Sequence, residues 1–106
     1  MREHRVNLAG LRREIGPHHR LTATPGELTF PITSRLIGKG VTATDREVEA
    51  AVAFAWRELK LVVEPGGAIG LAALLAGRPE VKGKVVVAIL SGGNVDPELF
   101  SRIIAA

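Results

Sequence analysis

Residues 84–96 read KVVVAILSGGNVD and join an unbroken apolar run to a glycine turn and a helix start. The apolar run has no polar alternation, which is typical of a central parallel strand covered on both faces. Asp96, Pro97 and Glu98 supply an N-cap, a first-turn proline and a first-turn acid, so we predict a helix over 97–105. A strand, a tight turn and a helix in this order indicate an α/β fold.

An amphipathic helix is predicted upstream of this strand. Thr44 followed by Glu47 matches a capping box at the start of a run of about 16 residues. The spacing of the apolar residues in that run places them on one helix face. The residues of this face are Val48, Val52, Ala55 and Leu59.

Residues 61–79, LVVEPGGAIGLAALLAGRP, contain a second glycine turn followed by a helix signal. Positions 68–76 are apolar on every face, so we expect a helix buried all round. Gly77 and Pro79 are expected to end it. Further upstream, the two prolines of TATPGELTFPI, residues 22–32, predict extended or turning chain.

These elements do not make a complete sheet. One strand cannot form a parallel sheet alone, and a fully apolar helix has little here to pack against. We therefore interpret the chain as a slice of a larger α/β protein, with other polypeptide supplying the remaining strands.

The composition excludes several classes of site. The 106 residues include no cysteine, so neither a disulfide framework nor a thiolate metal site is expected. The three histidines lie in the first twenty residues, away from clustered acids, and we predict no metal site. No apolar run approaches the ~20 residues that span a bilayer, so we expect no membrane partner and a cytoplasmic protein.

The positive charge is confined to one end of the chain. Residues 1–20 hold five arginines and two glutamates, which gives +3, whereas the other 86 residues carry nine basic and nine acidic side chains. We interpret 1–20 as a basic tail and 21–106 as the domain. The tail has neither aromatic interleaving nor a recognition motif, which argues against a nucleic-acid partner.

The SGGN turn, Ser91 to Asn94, is a candidate binding site. It follows a predicted strand at its carboxyl end, where open α/β sheets bind ligands. A phosphate could bind the amides of Gly92 and Gly93, or the Ser91 hydroxyl could reach a flat heteroaromatic ring. The turn could also simply connect strand to helix, and the four residues alone leave these alternatives open.

The second turn, EPGGA, begins with a glutamate. Glu64 could merely favour the positive end of the helix, an effect of about 0.3–1 kcal/mol. A carboxylate between the apolar runs LVV and AIGLAALL is costly without hydrogen bonds, which points to a site.

Taken in order and spacing, these segments resemble one family. KLVVEPGGAIGLAALLAG, KVVVAILSGGNVD and TPGELTFPI resemble the C-terminal part of the large domain in pyridoxal-phosphate-dependent serine/threonine dehydratases, a fold type that includes serine racemase and the tryptophan synthase β-chain. The resemblance runs from Leu21 to the C-terminus. It implies pyridoxal 5′-phosphate as cofactor and a partial three-layer fragment of that α/β fold, with one central parallel strand and flanking helices.

The resemblance also assigns cofactor-binding roles. It implies a hydrogen bond from Ser91 to the pyridine nitrogen of the cofactor. A neutral hydroxyl does not hold a proton on that nitrogen as an aspartate would, which suits β-elimination from serine or threonine. The resemblance further implies that Gly92 and Gly93 leave room for the ring, that Asn94 ties the turn to neighbouring backbone, and that Glu64 lies near the ring beside Gly66 and Gly67.

Other parts of the family pattern are absent. The chain has no Ser-x-Lys-x-Arg-Gly segment, which carries the lysine that binds the cofactor, and no glycine-rich phosphate loop or racemase-type metal ligands. The four lysines, Lys39, Lys60, Lys82 and Lys84, have the context of turns and helix ends. We therefore expect no catalytic residue here.

The resemblance leads to one function and leaves one alternative open. We expect a fragment of an ammonia-lyase that converts L-threonine or L-serine to a 2-oxo acid and ammonia, inactive alone. The alternative is a non-catalytic module that associates with a full-length dehydratase or binds a small phosphate. A homo-oligomer is a further possible assembly.

Overall fold

In the computed structural model, the described residues are 27–36, 38 and 40–106. Four α-helices lie in this part of the chain, together with one π-helical turn and one 3₁₀ turn. The basic segment 1–20 and Lys39 lie outside it, so the interpretation of 1–20 as a tail stays a prediction. The elements are α1 (Thr29–Leu36), α2 (Asp45–Phe54), the π turn (Ala55–Leu59), the 3₁₀ turn (Pro65–Ala68), α3 (Ile69–Leu75) and α4 (Pro97–Ala105).

Helix α2 begins with the predicted capping box. Thr44 Oγ1 accepts a hydrogen bond from the Glu47 N–H at 3.3 Å, and Glu47 Oε2 accepts one from the Thr44 N–H at 2.7 Å. The helix continues through the π turn to Leu59, so the helical run matches the predicted one. Lys60, in the left-handed region at φ 58°, ends it.

The π turn changes which side chains reach the core. Val48, Val52 and Ala55 are buried as predicted, but Leu59 is 45% exposed. A π turn holds more residues than an α turn, so Leu59 rotates off the face that the α-helical spacing predicted.

Glu47 also connects the start of α2 to the chain that follows α3. Its Oε1 accepts a hydrogen bond from Arg78 Nη1, in an ion pair at the surface. The hydrogen bond from Arg78 and those at Thr44 lower the pKa of Glu47 from 4.5 to about 2. The capping carboxylate therefore stays charged well below its usual range.

Helix α3 is covered on one side only. Ile69, Ala72 and Ala73 are buried against α2, whereas Leu75 is 50% exposed. The expectation of burial all round is therefore wrong for the described residues, because they supply no second layer to cover the outer side. Gly77, at φ 68°, follows the end of the helix as predicted.

Helix α1 corrects the prediction for residues 29–32. They were expected to be extended or turning, but the structure places the first half of a helix there. Pro31 lies in the first turn, where a helix does not use the missing N–H, so this proline does not prevent it. Phe30, Ile32 and Leu36 remain more than half exposed.

The predicted central strand is not found in the part of the chain that the structure describes. Residues 85–90 have neither helical nor strand structure. Val85, Val87 and Ile89 are 80–92% exposed, so the expected cover on both faces is also absent here. A strand needs a neighbouring strand for its backbone hydrogen bonds, and the described residues provide none.

The core lies between α2, α3 and α4, with the 3₁₀ turn against α2. Most of its side chains are small, and the largest that are fully buried are valines, Val48 and Val52. Such a core buries little apolar area per residue, so its stability depends on close helix contacts. The buried apolar residues are Ala43, Val48, Ala51, Val52, Ala53, Ala55, Val63, Ala68, Ile69, Ala72, Ala73 and Ile103.

Helix α4 forms as predicted and packs on α2 and the π turn. The Asp96 side chain accepts a hydrogen bond from the Leu99 N–H at 2.8 Å and so caps the helix. Phe100 meets Trp56 edge to face, with ring centroids 5.7 Å apart, and Ile103 enters the core. No described helix is both long enough and apolar enough to span a bilayer.

Candidate functional site

The two glycine turns predicted from the sequence lie against each other. We call residues 64–67 the Glu64 turn and residues 91–94 the Ser91 turn. The Glu64 N–H donates to the Gly92 carbonyl at 3.0 Å, and the Ser91 N–H donates to the Gly67 carbonyl at 3.4 Å. Among the described residues, these are the only backbone hydrogen bonds between residues more than six positions apart.

Gly67 allows the two turns to approach each other. It is buried, and a Cβ added to it would lie 1.6 Å from the carbonyl oxygen of Ser91. No backbone atom can be displaced that far without moving the turn. The absence of a side chain at Gly67 is therefore required by a contact inside the chain.

Gly92 is required for two separate reasons. Its φ of 80° lies in the region that side chains disfavour, and an added Cβ would lie 2.1 Å from Glu64 Oε1. At Gly93, an added Cβ would lie 3.1 Å from the Val62 carbonyl oxygen. The Glu64 carboxylate thus occupies the space beside the Ser91 turn that a larger residue at 92 would take.

The outer surface of both turns is open to solvent. Ser91, Gly92, Gly93, Asn94 and Gly66 are exposed, and Glu64 is half-buried. In the described part of the chain, the predicted tie from the Asn94 side chain to neighbouring backbone is not made. The Ser91 hydroxyl likewise has no hydrogen-bond partner there, so it is free to donate a hydrogen bond to a ligand.

The charge at the site comes from Glu64. The ion pairs between described residues join Arg78 to Glu47 and Arg102 to Glu49, and neither involves the Glu64 carboxylate. A half-buried carboxylate without a cation beside it attracts hydrogen-bond donors. No described cluster of histidine, aspartate and glutamate side chains could hold a metal ion.

Two of the described lysines are engaged by backbone near their own positions. Lys60 Nζ donates to the Arg57 carbonyl at 2.6 Å, and Lys84 Nζ donates to the Glu80 carbonyl at 3.2 Å. These contacts match the sequence-based interpretation of the lysines as turn and helix-end residues.

The structure adds contacts that sequence reasoning missed. The sequence predicted two separate glycine turns, but it did not indicate that Ser91 backbone fills the space beside Gly67 or that Glu64 fills the space beside Gly92. A glycine after an apolar run indicates that another group lies close to its backbone, but the sequence does not identify that group. The cofactor-binding roles of the seven residues stay predictions.

Comparison with known proteins identifies one family. The model described as pyridoxal-phosphate dependent enzyme matches residues 3–92, a range that includes the Glu64 turn and extends to Gly92. The match begins at residue 3, whereas the resemblance was predicted to begin only at Leu21. Enzymes of this family have the tryptophan synthase β-like α/β fold, whose central strand is not seen among the described residues.

Curated relatives agree with this match. The chain is 39% identical over 80 residues to an L-threonine ammonia-lyase of Thermotoga maritima. The aligned region covers 76% of this chain and 20% of the relative. It is 38% identical over 88 residues to a serine racemase of Dictyostelium discoideum (79% and 26%). An L-threo-3-hydroxyaspartate ammonia-lyase of Pseudomonas is 37% identical over 79 residues (74% and 25%). The matched part of the chain thus spans about a fifth to a quarter of these relatives.

Proposed function

Because this chain belongs to the family of pyridoxal-phosphate-dependent enzymes, we propose that it supplies the ring-nitrogen side of the cofactor site in an L-threonine or L-serine ammonia-lyase. The observation that carries the proposal is the contact between the Glu64 turn and the Ser91 turn. This contact fixes Ser91 beside the point where Gly92 meets the Glu64 carboxylate.

The residues present fit one side of the cofactor ring. The Ser91 hydroxyl is exposed and has no hydrogen-bond partner among the described residues, so it is available to a ring nitrogen. It offers a neutral hydrogen bond and adds no charge at that atom. When bound, pyridoxal phosphate supplies the electron sink for β-elimination of the substrate hydroxyl. The residues that would hold it are Ser91, Gly92, Gly93 and Asn94 on one turn and Glu64, Gly66 and Gly67 on the other.

Glu64 has a positioning role in this proposal. An ionised carboxylate only accepts hydrogen bonds, so Glu64 favours a ligand that turns a donor toward it. Its own position depends on the absence of a side chain at Gly92. The two residues therefore act as one unit.

The proposal assigns no catalytic residue to this chain. Lys60 and Lys84 are bonded to nearby carbonyls, and the sequence has no Ser-x-Lys-x-Arg-Gly segment or phosphate loop. We therefore propose that production of a 2-oxo acid and ammonia requires polypeptide beyond these 106 residues, in the cytoplasm. The exposed Ser91 turn supports this, since a working site must exclude water from its cofactor.

Binding can be tested with pyridoxine 5′-phosphate, which has the ring and phosphate but no aldehyde to label lysines. In ¹⁵N NMR, we expect shifts at the amides of residues 91–94. S91A should lose these shifts, whereas S101A, which changes an exposed serine of α4, should keep them. If inorganic phosphate alone causes the same shifts, the site is a phosphate site and the ring-binding proposal is wrong.

Activity is tested separately. The 106-residue chain, mixed with pyridoxal phosphate and L-threonine, should produce no 2-oxo acid, and borohydride should fix the cofactor to no single lysine. Turnover with labelling of one lysine would show that the chain needs no further polypeptide.

A further inference from the structure

We propose that the backbone of the Glu64 turn, above all Gly67, determines the preference of the site for a ring nitrogen, because it fixes the backbone of Ser91. The proposal rests on the proposed function and deepens it. It makes Gly67 a positioning residue that acts through the Ser91 hydroxyl, and not by its own contact with the ligand. The ligand class is a pyridine ring, and the ligand to be rejected carries C–H in place of the nitrogen.

Gly67 offers little surface to a ligand. It is buried, whereas the neighbouring Gly66 is exposed. The Ser91 carbonyl fills the space that a side chain at Gly67 would take, and the Ser91 nitrogen would lie 3.1 Å from a Cβ placed there. A ligand at the exposed Ser91 turn therefore meets Ser91 before it meets Gly67.

The peptide groups around Ser91 are held one after another. The Ser91 N–H donates to the Gly67 carbonyl at 3.4 Å, and the Ser91 carbonyl packs onto Gly67 itself. One residue later, the Gly92 carbonyl accepts a hydrogen bond from the Glu64 N–H at 3.0 Å. The first hydrogen bond is long, so the packing against Gly67 supplies much of the restraint. Rotation about χ1 is then the main freedom left to the Ser91 hydroxyl.

A fixed hydroxyl distinguishes two ligands that a mobile hydroxyl does not. When a ring nitrogen faces Ser91, the hydroxyl donates to it and keeps a hydrogen-bond partner. When C–H replaces the nitrogen, a fixed hydroxyl loses its water and gains no acceptor. A mobile hydroxyl turns back to solvent and avoids this loss. The preference for a ring nitrogen therefore depends on how firmly Gly67 holds Ser91.

The preference is measured by titrating pyridoxine 5′-phosphate and its 1-deaza analogue, in which C–H replaces the ring nitrogen. The phosphate is the same in both ligands, so its binding cancels in the ratio of the two dissociation constants. We expect the unsubstituted chain to prefer the nitrogen ring by about fivefold, which corresponds to one neutral hydrogen bond of about 1 kcal/mol. G67A should bind the two ligands equally. G70A is the control and should keep the preference, because its added Cβ has open space.

S91A separates this proposal from the proposed function. If S91A loses the preference and G67A keeps it, Ser91 faces the ring nitrogen but Gly67 does not act through it, and only this proposal is wrong. If S91A keeps the preference, or the unsubstituted chain has none, the proposed function is wrong as well. Weaker binding of both ligands by G67A with an unchanged ratio would also overturn the role of Gly67.

A second variant tests the same restraint without adding a Cβ at Gly67, and it decides the matter if G67A does not fold. E64P removes the N–H that donates to the Gly92 carbonyl, and the Glu64 φ of −72° already suits proline. E64A is its reference, because it also lacks the carboxylate but keeps the N–H. E64P should show a smaller preference than E64A. Equal preferences would contradict control by the backbone of the Glu64 turn.

The restraint on Ser91 is also measured without any ligand. The ¹⁵N order parameter of the Ser91 amide should be about 0.85, the value of rigid backbone, and should fall below about 0.6 in G67A. G70A should keep the higher value. A flexible Ser91 amide in the unsubstituted chain, or an unchanged one in G67A, would overturn the proposal.

Discussion

The helical core and the exposed segment 84–90 contain the same kind of apolar residue in opposite surroundings. Val52 in α2 is fully buried, whereas Val87 in segment 84–90 is 86% exposed. A helix satisfies its backbone internally and needs only a partner for one face, which α3 and α4 supply to α2. A strand needs partners for its backbone and for both faces. Burial in this chain therefore depends on which neighbours a segment has, and not on its apolar character alone.

The largest predicted effect separates these two regions directly. V52D places a charge without a partner inside the apolar core and should cost about 3–5 kcal/mol, enough to abolish a cooperative thermal transition. V87D places the same charge in solvent and should leave the helical signal unchanged. Circular dichroism melts of both variants check this; equal loss of structure would mean that segment 84–90 is buried.

The next largest effect is expected at Gly67, where the helical core contacts the Ser91 turn that follows residues 84–90. G67A puts a Cβ into the Ser91 carbonyl and should destabilise the chain by about 1–3 kcal/mol. G70A is the control, because an added Cβ there has open space and sits in α3, where alanine is favoured over glycine by about 0.5–1 kcal/mol. Chemical denaturation compares the two. A G67A variant as stable as G70A would show that the turns do not pack closely.

A smaller effect is expected at Gly92, whose close neighbour is the flexible Glu64 side chain and not backbone as at Gly67. G92A should cost about 1–2 kcal/mol from its left-handed backbone, plus the collision with the Glu64 side chain. E64A should relieve the collision but not the backbone strain, so E64A/G92A should be less destabilised than the sum of the single changes. The pair E64A/G67A should show no such rescue, because the neighbour of Gly67 is backbone. A double-mutant cycle with additive effects at 64 and 92 would contradict the contact.

The smallest effect is a pH dependence of the helical region alone. The pKa of Glu47 is about 2 in the folded chain and 4.5 in its ordinary state. A lowered folded pKa stabilises the fold above pH 4.5, and this contribution is lost as the pH falls toward 2. E47Q should therefore flatten the decline of the melting temperature over that range, whereas E49Q should retain it. An identical decline in E47Q would assign the effect to other carboxylates.

Local signals in the sequence predicted the starts of α2 and α4 well. The capping box at Thr44 and the N-cap at Asp96 depend on residues three positions apart, and both were confirmed. The failures have two causes. Residues 29–32 form a helix because Pro31 lies in its first turn, where a proline is tolerated. The open side of α3 and the absence of a strand at 85–90 reflect packing partners that the described residues do not supply. Family membership agreed with the predicted resemblance. The contact between the turns, however, joins residues 24 and 28 positions apart along the chain and carries no local signal.

The two hydrogen bonds between the turns also allow the opening of the site to be followed by amide hydrogen exchange. They involve the amide protons of Glu64 and Ser91, so each proton exchanges with solvent only when the turns separate. If they exchange faster than the amides of α2, the site opens as an independent unit while the helices stay folded. The rate at which the two turns separate could then be measured on the chain without any ligand.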